Sequence, residues 1–200
     1  MNPENGEGLW YKNETGDETT NNYNEAAKRY VGTASPKFEG SFSSNLSFMG
    51  IDFSVLLTTS LGRKIYGNHL RYDENTTGFD AITTQWVYDN RWQKPGDNAK
   101  VPVMDAVGSQ SGVSSASTRY LMSGNYLKIK SISVGYNLPK SVLEPLHMQS
   151  LRIFANFENL YTFHAKDYRG FDPSSVGANG SAWWNYPQAR SFILGLNIGF

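Results

Sequence analysis

The stretch Ser191-Phe-Ile-Leu-Gly-Leu-Asn-Ile-Gly-Phe200 decides the fold class of this chain. Counting back from its last residue, every second side chain is large and apolar, and those between are small or polar apart from Ile193. Successive side chains of a β-strand point to opposite faces, so this strand has one apolar and one mostly polar face. A strand of a transmembrane β-barrel has this pattern, with apolar side chains toward lipid and small or polar ones toward the lumen. The apolar set is Phe192, Leu194, Leu196, Ile198 and Phe200.

The end of the chain favours the same interpretation. Termini of soluble domains are usually frayed and polar. A strand that stops on an aromatic residue is therefore expected to seal a barrel.

Four further segments alternate in the same way, over at least the 9–11 or so residues that a tilted membrane strand needs. Gly50 separates two of them and predicts a tight hairpin. In the third segment the alternation changes phase, and a β-bulge near Lys130–Ser131 reconciles the two halves. Alternatively, the first half of that segment lies above the membrane. The predicted strands cover residues 37–49, 51–61, 126–138 and 151–163, with a partial strand over 9–12.

The connections between the predicted strands alternate in length. Gly50 forms a minimal turn, and residues 139–150 form a moderate one. The connections 13–36, 67–125 and 164–189 are long, polar and rich in Gly, Asn, Asp and Ser. Short turns at one side and long loops at the other are typical of outer-membrane barrels, with the turns in the periplasm and the loops outside the cell. A soluble β-sandwich also needs alternating strands but has no such rule for its loops, and it stays open as the alternative.

Composition excludes several classes of protein. The 200 residues carry 18 basic and 18 acidic side chains, so no net charge attracts nucleic acid or an anionic membrane surface. The chain has no cysteine, which excludes disulfides, thiolate metal sites and a cysteine nucleophile. A mean hydropathy of -0.48, with no apolar run approaching 20 or so residues, excludes a helical membrane protein. The first 22 or so residues lack a basic region and an apolar core, so they do not form a signal peptide.

Ordered segments along nearly the whole chain resemble the SusC/RagA family of TonB-dependent outer-membrane transporters. The segment Tyr126-Leu-Lys-Ile-Lys-Ser-Ile-Ser-Val-Gly-Tyr-Asn-Leu-Pro-Lys140 resembles a late-barrel signature of that family. The likeness is weakest over residues 67–88 and 105–117. Further similar segments are Trp10-Tyr-Lys-Asn13, Val31-Gly-Thr-Ala-Ser-Pro-Lys-Phe38, Ser60-Leu-Gly-Arg-Lys-Ile-Tyr66, Asn90-Arg-Trp92, Ser150-Leu-Arg-Ile-Phe-Ala-Asn-Phe-Glu-Asn-Leu-Tyr-Thr-Phe163, Gly170-Phe-Asp-Pro173, Tyr186-Pro-Gln-Ala-Arg-Ser-Phe192 and Leu194-Gly-Leu-Asn-Ile-Gly-Phe200.

The resemblance implies an all-β fold. Residues 1–200 would be the C-terminal part, five to six antiparallel strands, of a barrel of about 22 strands with an N-terminal plug. So few strands cannot close a barrel, and an open edge in lipid leaves backbone groups unpaired. Met1 is accordingly expected to be an internal methionine or the start of a truncated gene. Otherwise the protein is expected to be cytosolic. If Met1 is a genuine start, the product is expected to come from a decayed gene or to be the soluble β-sandwich.

The resemblance also implies the function. The intact protein would import an oligosaccharide or a peptide through the outer membrane beneath a SusD-like surface lipoprotein, driven by TonB acting on the plug. The barrel-assembly machinery would recognise the last strand, and outer-membrane lipid would surround the barrel. No bond is made or broken, so the chain is not expected to be an enzyme.

The sequence contains no constellation of catalytic residues. It has no Gly-x-Ser-x-Gly elbow for acyl transfer and no phosphate-binding Gly-Lys-Ser/Thr loop. His69, His147 and His164 lack the spacing of metal ligands, so no metal is expected on them. Asp167 and Asp172 could hold Ca²⁺ through their oxygens, although capping of turns is the favoured interpretation. We therefore expect no cofactor.

Aromatic side chains in the long loops are better candidates for binding. Flat rings stack on sugars or on an apolar patch of a partner. Three roles stay open for them, in order of preference: packing among the loops, contact with the lipoprotein and contact with the substrate. These candidates are Trp86, Trp92, Trp183, Trp184 and Tyr186.

On the predicted strand 151–163, the polar face carries Arg152, Asn156 and Glu158, which should line the lumen. The alternative function is that of a soluble extracellular β-sandwich that holds glycan with Trp183 and Trp184. Such a module would fold alone and stay in solution without detergent.

Overall fold

The computed structural model describes residues 1–76, 83–105 and 114–200, so parts of the predicted loop 67–125 and of its least similar stretches lie outside it. The chain forms two compact units. The first unit comprises residues 1–32, 66–121 and 181–183. The second comprises residues 33–65, 122–180 and 184–200.

Strands are the main secondary structure of the described residues. They are β1 (Trp10–Tyr11), β2 (Thr19–Thr20), β3 (Phe38–Phe48), β4 (Ile51–Leu61), β5 (Lys64–Gly67), β6 (Leu121–Ser123), β7 (Tyr126–Asn137), β8 (Ser150–His164), β9 (Ser181–Ala182) and β10 (Ser191–Gly199). Short helices lie between them: α1 (Asn68–Asp73), α2 (Gln85–Asn90) and α3 (Lys140–Leu143), with 3₁₀ turns at Tyr23–Glu25, Thr118–Tyr120, Glu144–Leu146 and Pro173–Ser175. Within the described ranges, no helix is long and apolar enough to cross a membrane.

The second unit is built on an antiparallel sheet of five long strands in the order β10-β8-β7-β4-β3. Each of these strands lies within one or two residues of the predicted ranges, because the alternation of apolar and polar residues runs from one turn residue to the next, with one change of phase in β7. The predicted hairpin at Gly50 is confirmed, since Phe48 pairs with Ile51 across it. Gly50 has a φ of 82°, a left-handed conformation that glycine adopts without steric cost.

Register aligns the apolar side chains of all five strands in rows across one face of the sheet. One such row passes through Leu46, Phe53, Val134, Ala155 and Leu194, each paired with the next on the neighbouring strand. A slip by one residue on any strand would move its apolar set to the opposite face.

The predicted bulge in β7 is confirmed. Ile129 pairs with Leu57 and Ser131 pairs with Leu56, so Lys130 is the extra residue between them. The pairing with β8 shifts at the same place, and Asn159 of β8 has a φ of 52° there. The bulge reconciles the two phases of the alternation, as expected for one extra residue in a ladder.

The apolar face of the sheet is exposed. Leu194 is 82% exposed and Phe48 is 71% exposed. None of the buried apolar residues among those described belongs to the five long strands. The buried apolar residues of the second unit lie beside the sheet instead, at Ile65, Met122, Leu143, Tyr168 and Val176. A β-sandwich buries one face of each sheet, so this exposure contradicts the sandwich alternative.

The connections of the sheet are sorted by length, as predicted. The turn at Gly50, the connection 138–149 and the residue Phe200 all lie at one end, because Ile51 pairs with Tyr136 and Ser150 pairs with Gly199. The long connections leave the opposite end. Helix α3 and the following 3₁₀ turn occupy the connection 138–149 and were not predicted from the sequence.

Both edges of this sheet are open in the described residues. Strand β10 pairs with β8 alone, and β3 pairs with β4 alone. An open edge exposes a row of unpaired backbone N–H and C=O groups, which closure of a barrel removes.

The first unit is a compact arrangement of loops with its own small core. Strands β1 and β2 pair with each other, and residues Tyr66 and Gly67 pair in parallel with β9. Helix α2 begins after Thr84, whose hydroxyl accepts a hydrogen bond from the Val87 backbone N–H at 3.4 Å. Such a cap satisfies a backbone donor that the first turn leaves unpaired. The buried apolar residues of this unit are Leu70, Val87, Val101, Tyr120 and Ala182.

Candidate functional site

The polar face of the sheet holds the three predicted lumen-lining residues of β8. Arg152 forms an ion pair with Asp52 of β4, with 3.3 Å between Nη2 and Oδ2. Asn156 accepts a hydrogen bond from the Ser133 hydroxyl at 2.5 Å. Glu158 is exposed and makes no ion pair within the described part of the chain. Because the three lie at even positions, they point to one face, as predicted.

Glycines on the neighbouring strands make room for the large side chains of this face. A Cβ at Gly135 would lie within 3 Å of the Arg152 guanidinium. A Cβ at Gly195 would clash with the Phe154 ring in the same way. The Arg152 guanidinium lies 5.8 Å from the centre of the Phe154 ring. The result is a fixed cation beside a half-buried aromatic ring, which is suited to contact with polar solutes.

A buried ion pair joins the long connection 165–190 to β7. Lys128 Nζ lies 3.0 Å from Asp172 Oδ2 and donates to Ser174 Oγ at 2.8 Å and Gln188 Oε1 at 3.1 Å. Lys130, the bulge residue, donates to the same Gln188 oxygen at 3.0 Å and to Asn159 Oδ1 at 3.1 Å. We call these six side chains the lysine cluster: Lys128, Lys130, Asn159, Asp172, Ser174 and Gln188.

The lysine cluster was missed by the sequence analysis. The two lysines of the segment 127–131 were visible as polar positions of a strand, but their partners are 29 to 60 residues away. Only the register of β7 and the course of the connection bring them together.

The electrostatics of the cluster fix its charge state. Burial raises the pKa of Asp172, but hydrogen bonds from Ser174 and from Lys128 outweigh it, so the net pKa is below its ordinary value. Burial, with the Asp172 charge adding to it, raises the pKa of Tyr168 to about 12. Asp172 is therefore a carboxylate at neutral pH, and Tyr168 keeps its proton.

The loop aromatic candidates separate into packed and exposed side chains. Trp92 donates its indole N–H to the Pro3 carbonyl at 3.1 Å and lies against Gly6. The Trp183 ring lies 6.0 Å from that of Tyr72. Trp86 on α2 is partly exposed, as is Trp184, whereas Tyr186 is 93% exposed. Trp183 is as exposed as Trp86 and Trp184, so packing among loops describes Trp92 best, and Tyr186 is the most accessible of the set.

The five apolar residues predicted as the assembly signal all lie on the apolar face of the edge strand or at its end. Phe192, Leu194, Leu196, Ile198 and Phe200 are exposed. The Phe192 ring packs edge-on against Phe157 of β8, with 5.7 Å between the ring centres. Their geometry matches a strand in contact with lipid, and the signalling role itself stays a prediction.

The histidine and carboxylate side chains considered as metal ligands do not lie together in a cluster within the described residues. The described residues contain no group of three or more His, Asp or Glu side chains arranged to hold an ion. His69 is buried, and its Nδ1 lies 3.2 Å from the Ala182 carbonyl. Asp167 accepts a hydrogen bond from the Ser123 backbone at 2.9 Å, and Asp172 pairs with Lys128. Calcium binding at Asp167 and Asp172 stays a prediction.

A cleft in the first unit was also missed by the sequence analysis. It has a volume of about 610 Å³ and is walled by aromatic side chains of β1, of the 3₁₀ turn at 23–25 and of β5. Trp10 and Tyr11 were visible only as part of a partial strand, and Tyr66 only as the last residue of the family-like segment 60–66. No sequence spacing indicated that their rings surround one space.

No family model matches the chain. Among curated proteins, TonB-dependent receptor P3 of Formosa agariphila is 30% identical over 185 residues, which are 88% of this chain and 17% of that receptor. Receptor P39 of the same organism is 27% identical over 85% of the chain and 17% of its own length. TonB-dependent receptor SusC of Bacteroides thetaiotaomicron is 26% identical over 79% of the chain and 14% of its own length. The chain thus spans about one sixth of these receptors.

Solved structures share the fold of the whole chain. A structure of the RagAB peptide transporter matches with a TM-score of 0.81 and 22% identity, over 100% of this chain and 21% of that one. A structure of the RagAB peptide importer in a closed state matches with a TM-score of 0.80 and 23% identity, over 100% and 22% of the two chains.

An antiparallel sheet with open edges, an exposed apolar face and a polar opposite face defines a section of a transmembrane β-barrel. The fold class predicted from the sequence is therefore confirmed. The chain belongs to the SusC/RagA family of TonB-dependent receptors, as the resemblance predicted.

Proposed function

We propose that this chain is the C-terminal part of an outer-membrane importer for oligosaccharides or peptides, which works with TonB and a SusD-like surface lipoprotein. The observation that carries the proposal is the single sheet with aligned apolar rows on one face and Arg152, Asn156 and Glu158 on the other. Lipid on one side and an aqueous lumen on the other account for both faces at once.

The relatives support an importer. SusC and the RagAB transporter both share their sequence or fold with this chain, and the RagAB structures are titled a peptide transporter and a peptide importer. We therefore propose that the membrane is the outer membrane. The polar face of the sheet would then form part of the wall past which the nutrient moves. In this proposal, the chain's own role is conformational and electrostatic, and it carries out no bond chemistry.

The open edges support a place within a longer barrel. The unpaired groups of β3 and β10 would each need a neighbouring strand in lipid, where every unsatisfied backbone group costs several kcal/mol. The curated receptors are about six times longer than the matched segment, which is ample length for the remaining strands and a plug.

A matched pair of substitutions on adjacent residues of β4 tests the barrel. Val55 lies on the apolar face and Ser54 on the polar face. In the full-length receptor, Val55→Lys places a charge in lipid, at a cost of about 2–4 kcal/mol near the bilayer midplane, whereas Ser54→Lys faces water. We expect Val55→Lys to lower the amount of folded receptor in the outer membrane several-fold and Ser54→Lys to leave it near wild type. Equal losses for both variants, or recovery of the receptor in the soluble fraction, would contradict the proposal.

For the lipoprotein partner, we propose contact through Tyr186. Its ring is almost fully exposed and lies in the connection 165–190, at the end of the sheet with the long loops. Large amphipathic rings are enriched in protein interfaces. Tyr186→Ala in the full-length receptor should reduce the amount of surface lipoprotein that co-purifies with it. Tyr30→Ala, at another exposed tyrosine, is the matched control. Equal co-purification with both variants would rule out this contact.

A further inference from the structure

The cleft of the first unit is walled by four aromatic rings. They are contributed by Trp10, Tyr11, Tyr23 and Tyr66. Trp10 and Tyr23 pack edge to face, with 5.7 Å between ring centres and 75° between planes. The Tyr23 hydroxyl donates to the Ala116 carbonyl at 2.7 Å, which holds the ring in place. A volume of about 610 Å³ is within the range of small-molecule sites, roughly 300–1,000 Å³.

The charged side chains that line this cleft are all basic. They are Lys28, Arg29 and Arg119, and none of the lining residues is Asp or Glu. Arg119 is held by the buried Glu74, with 2.7 Å between Nη2 and Oε2. Lys28 and Arg29 are exposed at the cleft. Since Glu74 balances Arg119, Lys28 and Arg29 supply a local positive charge in a chain whose overall charge is zero.

We propose that this cleft binds an acidic oligosaccharide, with sugar rings against the aromatic walls and carboxylates on Lys28 and Arg29. The inference rests on the proposed import function and narrows its substrate class. Aromatic faces suit the flat apolar side of a sugar ring, and ammonium and guanidinium groups form charge-assisted hydrogen bonds with carboxylates.

The Tyr66 ring adds an uncharged wall to the cleft. Burial raises the pKa of its hydroxyl above its ordinary value, although the charge of Arg71 opposes the shift. The hydroxyl therefore stays protonated at neutral pH and adds no negative charge beside Lys28 and Arg29.

The surrounding backbone favours a sugar over a peptide. Extended peptides commonly bind by adding a strand to an exposed sheet edge. The strands at this cleft, β1 and β2, are two residues long and pair with each other. Such short strands could offer a peptide only one or two ladder hydrogen bonds along their outer edges.

Isothermal titration calorimetry on the full-length receptor in detergent tests the proposal by measuring the binding of a defined probe, tetragalacturonate. The neutral control is the same tetrasaccharide with every carboxyl methyl-esterified, and tetraglutamate represents an acidic peptide. We expect saturable binding of tetragalacturonate alone, weakened by added salt. The double variant Lys28→Gln/Arg29→Gln should weaken it by about tenfold or more, because each lost charged hydrogen bond is worth roughly a tenfold change. Trp10→Ala should weaken it as well.

Lys94→Gln is the matched charge control, since this exposed lysine belongs to the same unit but does not line the cleft. Absence of binding, equal binding of the methyl ester, equal weakening by Lys94→Gln, or tighter binding of tetraglutamate would each overturn the inference. The proposed function is judged separately by membrane assembly of the Val55→Lys and Ser54→Lys variants. If the receptor assembles in the outer membrane but does not bind tetragalacturonate, this inference is refuted and the proposed import function stands.

Discussion

At the scale of single residues, the lysine cluster carries the strongest constraint. Lys128 is 2% exposed and Asp172 is 7% exposed, so both charges are removed from water. A buried ion pair contributes little net stability by itself, but removal of one partner leaves an uncompensated buried charge. Three hydrogen bonds from one ammonium satisfy its three N–H donors, which is the condition under which such a charge is tolerated.

Lys128→Met should destabilise the packing of the connection 165–190, because Asp172 then remains buried without a cation. Breaking a buried pair in this way typically costs about 3–5 kcal/mol. The measurement is urea unfolding of the full-length receptor in detergent, with limited proteolysis of the connection as a local readout. Lys166→Met removes an exposed lysine of the same connection and should change neither the free energy of unfolding nor the protease resistance of the connection. Equal protease resistance of wild type and Lys128→Met would refute the structural role.

The lowered pKa of Asp172 predicts how this contribution depends on pH. A carboxyl whose pKa is lower in the folded protein contributes stability above its unfolded pKa, about 3.9, and loses it as pH falls through the folded value. The difference in unfolding free energy between wild type and Asp172→Asn should therefore be constant from pH 7 to 5 and shrink below pH 4. A difference that declines between pH 7 and 5, or that persists fully at pH 2, would show that another group is responsible.

At the scale of elements, the long strands were predictable, whereas the short ones were not, apart from β1 within the predicted partial strand 9–12. The five strands of the sheet have an alternation that continues over nine or more residues between turn signals. Strands β2, β5, β6 and β9 have two to four residues, too few for a period to be recognised. Helices α1 and α2 have six residues each and lie in a segment read as a loop. Their positions depend on contacts with other parts of the chain.

Strand β10 combines an edge position with an exposed apolar face, and this leads to a prediction about membrane assembly. In the full-length receptor, Phe200→Ser should reduce outer-membrane insertion, because it removes a large apolar group from the end of the lipid-facing row. Ile193→Ser removes a similar apolar group from the opposite face of the same strand and should have a smaller effect. Surface labelling of whole cells measures both. Unchanged surface levels of the Phe200→Ser receptor would contradict the prediction.

At the scale of the whole molecule, the five-stranded sheet lacks the burial that water-soluble sheets require. Its apolar face is exposed, and its edges at β3 and β10 are unpaired within the described residues. Exposed edges and apolar faces both promote association between chains. The first unit, by contrast, has a buried core that includes Val87, Val101 and Tyr120.

The 200-residue chain expressed alone should therefore aggregate in the absence of detergent. In detergent micelles it should keep β-structure by circular dichroism, because the micelle covers the apolar face. Size-exclusion chromatography with and without detergent measures the outcome. A monodisperse, detergent-free monomer with a cooperative thermal transition would contradict it and would support the soluble-module alternative.

The candidate site was predictable in part. Arg152, Asn156 and Glu158 were placed on one face from their spacing alone, because the period of a strand is local. The loop aromatics were identified as a class, but the difference between packed Trp92 and exposed Tyr186 was not. Packing depends on which distant backbone a ring meets, such as Pro3 beneath Trp92, and no local pattern encodes that.

By itself, the sequence determined the strands of the sheet, their two faces, the bulge near Lys130 and the order of short and long connections. All of these follow from periodicity and turn chemistry between near neighbours in the chain. Only the tertiary structure decided the lysine cluster, the glycine spaces beside Arg152 and Phe154, and the aromatic cleft of the first unit. These features join residues separated by tens of positions, so they exist only where strand register and loop packing bring those residues together.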